Sequence, residues 1–165
     1  MPFDTPPFTI RWANSTDVPA IFSLIQALAE YEKLSHAVTG NAETLHKHLF
    51  GDRPIVEAIV AQSATEIVGF ALFFSNYSTF LTQPGIYLED LFVLPNYRNQ
   101  GIGKALLSHL AQIALTRDCG RLEWSVLDWN DPAIAFYERM GATVLPDWRT
   151  CRVTGSAIVQ IAENS

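Results

Sequence analysis

The chain has 165 residues, 48% hydrophobic and 17% charged, which suits one domain with a real core and argues against a disordered chain. Eleven Lys and Arg against seventeen Asp and Glu give a net charge of −6 with no basic stripe, so no nucleic-acid partner is expected and a cationic small molecule is compatible. Cys119 and Cys151 make neither a disulfide framework nor a metal-ligand spacing, no run approaches the ~20 apolar residues of a membrane span, and no signal pattern opens the chain, so the expectation is a cytoplasmic protein with no membrane attachment.

Met1 to Pro7 is proline-rich and reads as a flexible lead-in to a single domain over residues 8–165. Phe8 to Trp12 alternates as a half-buried strand does. Asn14 is the expected N-cap of a helix that carries Ile21, Leu24, Ile25 and Leu28 toward Tyr31. A short helix follows over Ala42–Leu49, ended by Gly51. Ile55–Ala61 and Ile67–Phe74 predict a hairpin, residues 75–85 a loop, and Ile86–Leu94 a central strand. Gly101 opens a helix reaching Arg117, with Ile102, Leu106, Leu110 and Ile113 on one stripe. Leu122–Leu127 predicts a fifth strand and Pro132–Met140 a helix stopped by Gly141. Thr143–Leu145 predicts a sixth strand, and Val153 with Ile158–Ile161 a last one, broken near Gly155. The sum is a mixed α/β sheet in one domain.

The chemistry-bearing stretch is Leu91 to Lys104, a strand running into Tyr97-Arg98-Asn99-Gln100-Gly101-Ile102-Gly103-Lys104 at a helix start. Glycine at such a turn lets backbone approach a ligand, and the free N–H groups of a first helical turn bind anions. A phosphate or pyrophosphate cradle follows, with Arg98 and Lys104 near it for charge. The spacing is neither Gly-x-Gly-x-x-Gly nor a Walker loop, and a plain glycine-containing helix start remains the alternative.

Arg98-x-x-Gly101-x-Gly103 after a strand resembles the acetyl-CoA pyrophosphate loop of the GNAT superfamily of N-acetyltransferases. Asn130-Asp131-Pro132-Ala133-Ile134-Ala135-Phe136-Tyr137 through Gly141-Ala142 resembles its second diagnostic block. Leu28 to Leu34, Ile86 to Val93 and Val126 to Asn130 are similar to the spermidine/spermine (diamine) branch, closer to its thialysine-acetylating members. The resemblance runs from Phe8 to about Val153 and implies a central mixed, mostly antiparallel sheet flanked by helices, acetyl-CoA as co-substrate, and a homodimer.

An alkyl amine with pKa ~10.4 arrives protonated, so an acetyl acceptor needs an anionic site and a base, and the leaving thiolate needs a proton. By position alone Tyr137 reads as a core aromatic beside Phe136; the resemblance instead gives it the acid role at sulfur. Glu89 is the candidate base, acting through water, with Asp90 supplying negative charge. Neighbours in a regular strand face opposite ways, so both serve one cleft only across a bulge; otherwise one is a solvated edge or ion-pair residue. By resemblance, Tyr31 and Glu32 contact the acceptor, as do Trp148 and Arg149; Arg149 would pair with a carboxylate if the acceptor is an amino acid. Glu123, Trp124 and Ser125 form a further substrate wall. The backbones of Leu91, Phe92 and Val93 would pair with the pantetheine arm and donate to the thioester oxygen. Amides of Asn99, Gln100, Gly101, Ile102, Gly103 and Lys104 would hold the pyrophosphate, and Asn130 and Ala133 the far side of the arm.

His46 and His48 diverge around their helix, and His36 and His109 lack partners in sequence, so no metal is expected. The expected activity is direct acetyl transfer from acetyl-CoA to a primary amine of a small molecule, thialysine or a lysine-like amino acid ahead of a polyamine or diamine. The alternative is a catalytically silent acyl-CoA-binding sensor or scaffold.

Overall fold

The computed structural model describes residues 7–164; most of the expected lead-in, residues 1–6, lies outside them. The chain packs as two compact units, one ending at Ser125 and one starting at Val126. In the first, strand β1 (Thr9–Trp12) is followed by a 3₁₀ turn over Ser15–Asp17 and helix α1 (Val18–Tyr31). Then come α2 (Ala42–Phe50), β2 (Glu57–Ser63), β3 (Glu66–Ser78), β4 (Gln83–Val93), α3 (Ile102–Thr116) and β5 (Leu122–Trp124). The strands lie in chain order, β1-β2-β3-β4-β5, antiparallel except for the parallel β4–β5 pair.

Local chemistry explains the element starts. The Asn14 side chain accepts from the Thr16 N–H at 3.1 Å, and Asp17 accepts from the Asn14 N–H at 2.8 Å, a reciprocal cap. Asp17 also takes a two-pronged bond from Arg11 at 2.7 and 2.9 Å. The Arg11 guanidinium holds this buried carboxyl below the usual range against the opposing effect of burial. The Asn41 side chain accepts from the Thr44 N–H to start α2, and Gly51 ends it.

The sheet buries both faces. Val18, Ile21 and Leu24 of α1 and Leu49 of α2 close over Ala58, Val60, Phe70, Leu72 and Phe92. The strand residues between these, Ile59, Ala61, Ala71, Phe73, Ile86 and Leu88, are also buried, and α3 contributes Ile102, Leu106, Leu107 and Leu110 to the core. Alternation of side chains across one pleated sheet produces the two cores.

Two expectations for this unit are corrected. Residues 75–85 are not a loop: β3 runs on to Ser78 and β4 begins at Gln83, leaving a four-residue turn. Ser, Asn and Thr there mimic loop composition, but ladder pairing from Ser75–Ile86 to Ser78–Gln83 satisfies the backbone. Strand β5 stops at Trp124, short of Leu127.

The second unit holds helix α4 (Asp131–Arg139) and, in place of the expected last strand, helix α5 (Ser156–Glu163). Ala157, Ile158, Ile161 and Ala162 fall at helical spacing, which overrides the strand bias of their β-branched members. Gly155, at φ 55°, turns the chain into the helix. Thr143–Leu145 forms no strand either; the run is three residues long and Pro146 beyond it has no N–H to donate.

Candidate active site

The register of β4 against β3 carries the site. Leu88 pairs with Phe73 and Asp90 with Leu72, so Glu89 is an inserted residue with no partner of its own. Tyr87 pairs with Phe74, two residues from Leu72, so Tyr87 and Asp90 point to the same face despite being three apart in sequence. The inserted residue resets the alternation that would otherwise separate them. Glu89 is exposed at the kink and Asp90 is half-buried beside it.

Burial raises Asp90, and the charges of Glu89 and Glu32 add to it, so that its pKa reaches about 6. Glu32, at the C-terminal end of α1, is also raised by burial. The charges of Glu89 and Glu32 therefore both act on Asp90, and a bound cation would relieve that repulsion.

Past the bulge β4 changes character. Its pairing with β5 covers only Ile86, Leu88 and Tyr87 between them, so its β5-side edge from Glu89 to Val93 has no strand partner among the described residues. Leu91, Phe92 and Val93 lie along that stretch. The Phe92 side chain belongs to the core under α1, which leaves only its backbone for a ligand.

The loop that follows is built from positive-φ backbone. Asn99 has φ 61° and Gly101, the N-cap of α3, φ 85°. A Cβ placed on Gly101 would meet no atom within 4 Å, so the space before the helix start is open. The first-turn amides of Ile102, Gly103 and Lys104, which lack intrahelical partners, open onto it as a pyrophosphate cradle requires, and the residues fit the expected acetyl-CoA. Arg98 is turned elsewhere. Its guanidinium stacks on Tyr31 at 4.9 Å and Phe92 at 5.3 Å, and its Nε donates to the Val93 carbonyl at 3.0 Å. This clamps the loop to β4 and to the end of α1. The charge expected from Arg98 is thus joined to a structural duty that the motif did not reveal.

On the face shared by Tyr87 and Asp90, β5 presents Glu123 beside Tyr87. Glu123 Oε1 takes Arg121 Nε at 2.7 Å and Asn76 Nδ2 at 3.2 Å. The Tyr87 and Ser125 hydroxyls bond each other at 2.8 Å. Asn76, Tyr87 and Arg121 carry no local signal: Asn76 lies in a stretch of loop-like composition and Tyr87 in an apolar strand, and only the register and the contacts of Glu123 bring them together. Trp124, on the other side of β5, is half-buried.

In the second unit the buried Asn130 accepts from the Ala133 N–H at 3.4 Å, capping α4. Both residues thereby have a structural use. Tyr137 is half-buried with its ring 5.4 Å from that of Phe136. Gly141, at φ 97°, ends the helix, with its N–H bonded to the Glu138 carbonyl. Trp148 is 79% exposed and Arg149 is exposed. Among the described residues, no group of three or more His, Cys, Asp or Glu is placed to hold a metal, Cys119 and Cys151 are free thiols, and no helix is long and apolar enough to cross a membrane.

Comparison with known proteins agrees with this geometry. Residues 21–142 match the acetyltransferase (GNAT) family. L-ornithine N5-acetyltransferase NATA1 of Arabidopsis thaliana is 35% identical over 92% of this chain and 86% of its own. Thialysine N-epsilon-acetyltransferase of Mus musculus is 37% identical over 93% of this chain and 96% of its own. An integron cassette protein from the mobile metagenome of V. cholerae superposes with TM-score 0.78 at 25% identity, covering 95% of this chain and 98% of its own. An aminoglycoside acetyltransferase from a soil metagenomic sample, solved with sisomicin, shares the fold at TM-score 0.75 and 22% identity over 90% of this chain and 96% of its own. With a bulged central strand, an open helix start after it and relatives that match nearly end to end, the chain belongs to the GNAT family and is an N-acetyltransferase.

Proposed function

We propose that this protein moves the acetyl group of acetyl-CoA directly onto a primary amine of a small molecule, with diamino acids such as thialysine, ornithine or lysine ahead of polyamines and diamines. The observation that carries the reading is the bulge at Glu89, which exposes one carboxylate and holds a second, Asp90, half-buried on the face of Tyr87. Acetyl-CoA, when bound, supplies the activated acyl group; the amides of Asn99–Lys104 hold its pyrophosphate and the backbone of Leu91–Val93 its pantetheine arm. Asp90 and Glu32 attract the acceptor's ammonium. Glu89 takes its proton through water, which frees the lone pair that forms the new N–C bond as the C–S bond breaks. Tyr137 returns a proton to the departing sulfur. Tyr31, Glu123, Ser125, Trp148 and Arg149 complete the acceptor side in this reading, and Trp124, turned to the opposite side of β5, drops out of it. It further takes the protein to be a cytoplasmic homodimer, which light scattering at the protomer mass of 18.4 kDa would overturn.

The test is acetyl-CoA-dependent thiol release with thialysine, lysine, ornithine, spermidine, putrescine and buffer alone. Release with a diamino acid supports the reading. Tight acetyl-CoA binding with no release on any amine would overturn it in favour of a silent acyl-CoA binder. Tyr137→Phe should lose most turnover while keeping acetyl-CoA affinity; unchanged turnover would remove Tyr137 from the acid role.

A further inference from the structure

The ion pair at the start of β5 has the right parts to read one end of the acceptor. Glu123 receives both its bonds on Oε1, from Arg121 and Asn76, which leaves Oε2 without a partner among the described residues. Arg121 uses Nε on Glu123 and Nη2 on the Tyr77 carbonyl at 3.4 Å, leaving the donors of Nη1. Both side chains are partly open, at 40% and 34% exposure. One free acceptor and one free donor group, of opposite charge and side by side, complement an ammonium and a carboxylate on one carbon.

The spacing to Asp90 follows from the register. Asp90 pairs with Leu72, and Glu123 stands beside Tyr87, whose partner Phe74 is two residues from Leu72 on the same face. The two carboxylates are therefore about 7 Å apart along the strands and about 5 Å across them, measured at Cα. The side-chain nitrogen and α-carbon of an extended ornithine or lysine lie about 5–6 Å apart at ordinary bond lengths. The Glu123 carboxylate turns toward Asn76 and Arg121, on the side away from Asp90, and a hydrogen bond of about 2.8 Å at each end of the acceptor adds to its own length to cover the gap.

We propose that Arg121 and Glu123, steadied by Asn76, are the specificity-determining residues that bind the α-carboxylate and α-ammonium of a diamino-acid acceptor whose reacting nitrogen lies at Asp90 and Glu89. The inference rests on the acetyltransferase reading above and deepens it. A diamine presents a second cation where Arg121 also stands, so it binds less well than the amino acid of equal length. Arg149, the residue that sequence resemblance offers for the carboxylate, is the rival.

The experiment compares ornithine with putrescine and lysine with cadaverine, pairs that differ only in the carboxylate, by kcat/KM and by calorimetric Kd with CoA present. Wild type should favour each amino acid. Arg121→Gln should weaken ornithine and lysine about 10–100-fold and leave the diamines unchanged or improved, with the KM for acetyl-CoA unmoved. Glu123→Gln should weaken the amino acids by a similar factor, and it serves as the second probe if Arg121→Gln folds poorly. Arg121→Gln or Glu123→Gln with an unaltered amino-acid-to-diamine ratio overturns the inference, as does a selective loss confined to Arg149→Gln. Wild type inactive on every amine overturns the acetyltransferase reading and this inference together, whereas active enzyme with unchanged ratios overturns this inference alone.

Discussion

The two halves of β4 share a strand and differ in almost everything else. From Gln83 to Leu88 the backbone is paired on the β3 side and, at Ile86–Leu88, on the β5 side too, and Ile86 and Leu88 are buried. From Glu89 to Val93 it is paired on one side only, and its polar members sit at an exposed kink and a half-buried position. The first half stabilises the fold and leaves nothing for a ligand. The second gives up ladder bonds and charge solvation, which a fold tolerates where a bound molecule will satisfy them.

The sharpest way to break that contrast is to delete Glu89. Because Leu88–Phe73 and Asp90–Leu72 are already consecutive register pairs, the deletion makes β4 regular without turning any other side chain to the opposite face. Folding should survive while kcat falls about 10,000-fold or more, since a general base is worth about 10²–10⁴ and misplacement by an ångström about another 10². Glu89→Gln keeps the bulge and removes only the base, so its loss should be about 100–1,000-fold. Equal losses in the two variants would show that the bulge itself adds nothing.

The paired half gives the opposite result. Ile86→Ala empties a fully buried position and should cost about 2–5 kcal/mol in urea unfolding, with the pH–rate profile unchanged. A profile that moved would mean that the two halves are not separable.

Much of this fold is legible in the amino-acid sequence. The apolar period of Ile102, Leu106, Leu110 and Ile113 names the buried stripe of α3, Asn14 marks a helix start through its side chain, and Gly51 and Gly141 mark helix ends, Gly141 through its left-handed backbone. Two acids in adjacent positions of an apolar strand demand either a bulge or a wasted charge, and the register shows the bulge. Long-range pairing was not readable. Nothing local distinguishes Ser75–Ser78 from a loop until Gln83–Ile86 lies beside it, nor places Asn76 next to Glu123, 47 residues away. Ile158–Ile161 is ambiguous for a different reason: a four-residue apolar run fits strand or helix, and Gly155, which suggests a break in a strand, is the N-cap of a helix.

Asp90 tests the charged half by pH. With its pKa held at about 6, the folded protein keeps this proton between about pH 4 and 6 while the unfolded chain has released it. Stability from this group is therefore present at low pH and is lost as pH rises through 6. Asp90→Asn escapes the loss and should be more stable than wild type at pH 8 by up to about 3 kcal/mol, with the difference vanishing near pH 4. Activity should move the other way: kcat/KM for a cationic amine falls about tenfold, and the decline below pH 6 disappears. A variant no more stable at pH 8 would mean that Asp90 is not held against its own charge.

Gly101 gives the smallest effect and the cleanest separation of fold from ligand. A Cβ there meets no protein atom within 4 Å, so Gly101→Ala creates no clash, and its cost to folding is the left-handed backbone at φ 85°, about 1–2 kcal/mol. The same methyl projects into the space before the first turn of α3, where the amides of Asn99–Lys104 would meet a pyrophosphate. Calorimetry should therefore show acetyl-CoA affinity reduced by more than the small loss of stability explains, with the amine KM unmoved. Wild-type affinity in a correctly folded Gly101→Ala protein would place the phosphates somewhere other than this helix start. It would leave the bulge and its carboxylates untouched as the acceptor side of the site.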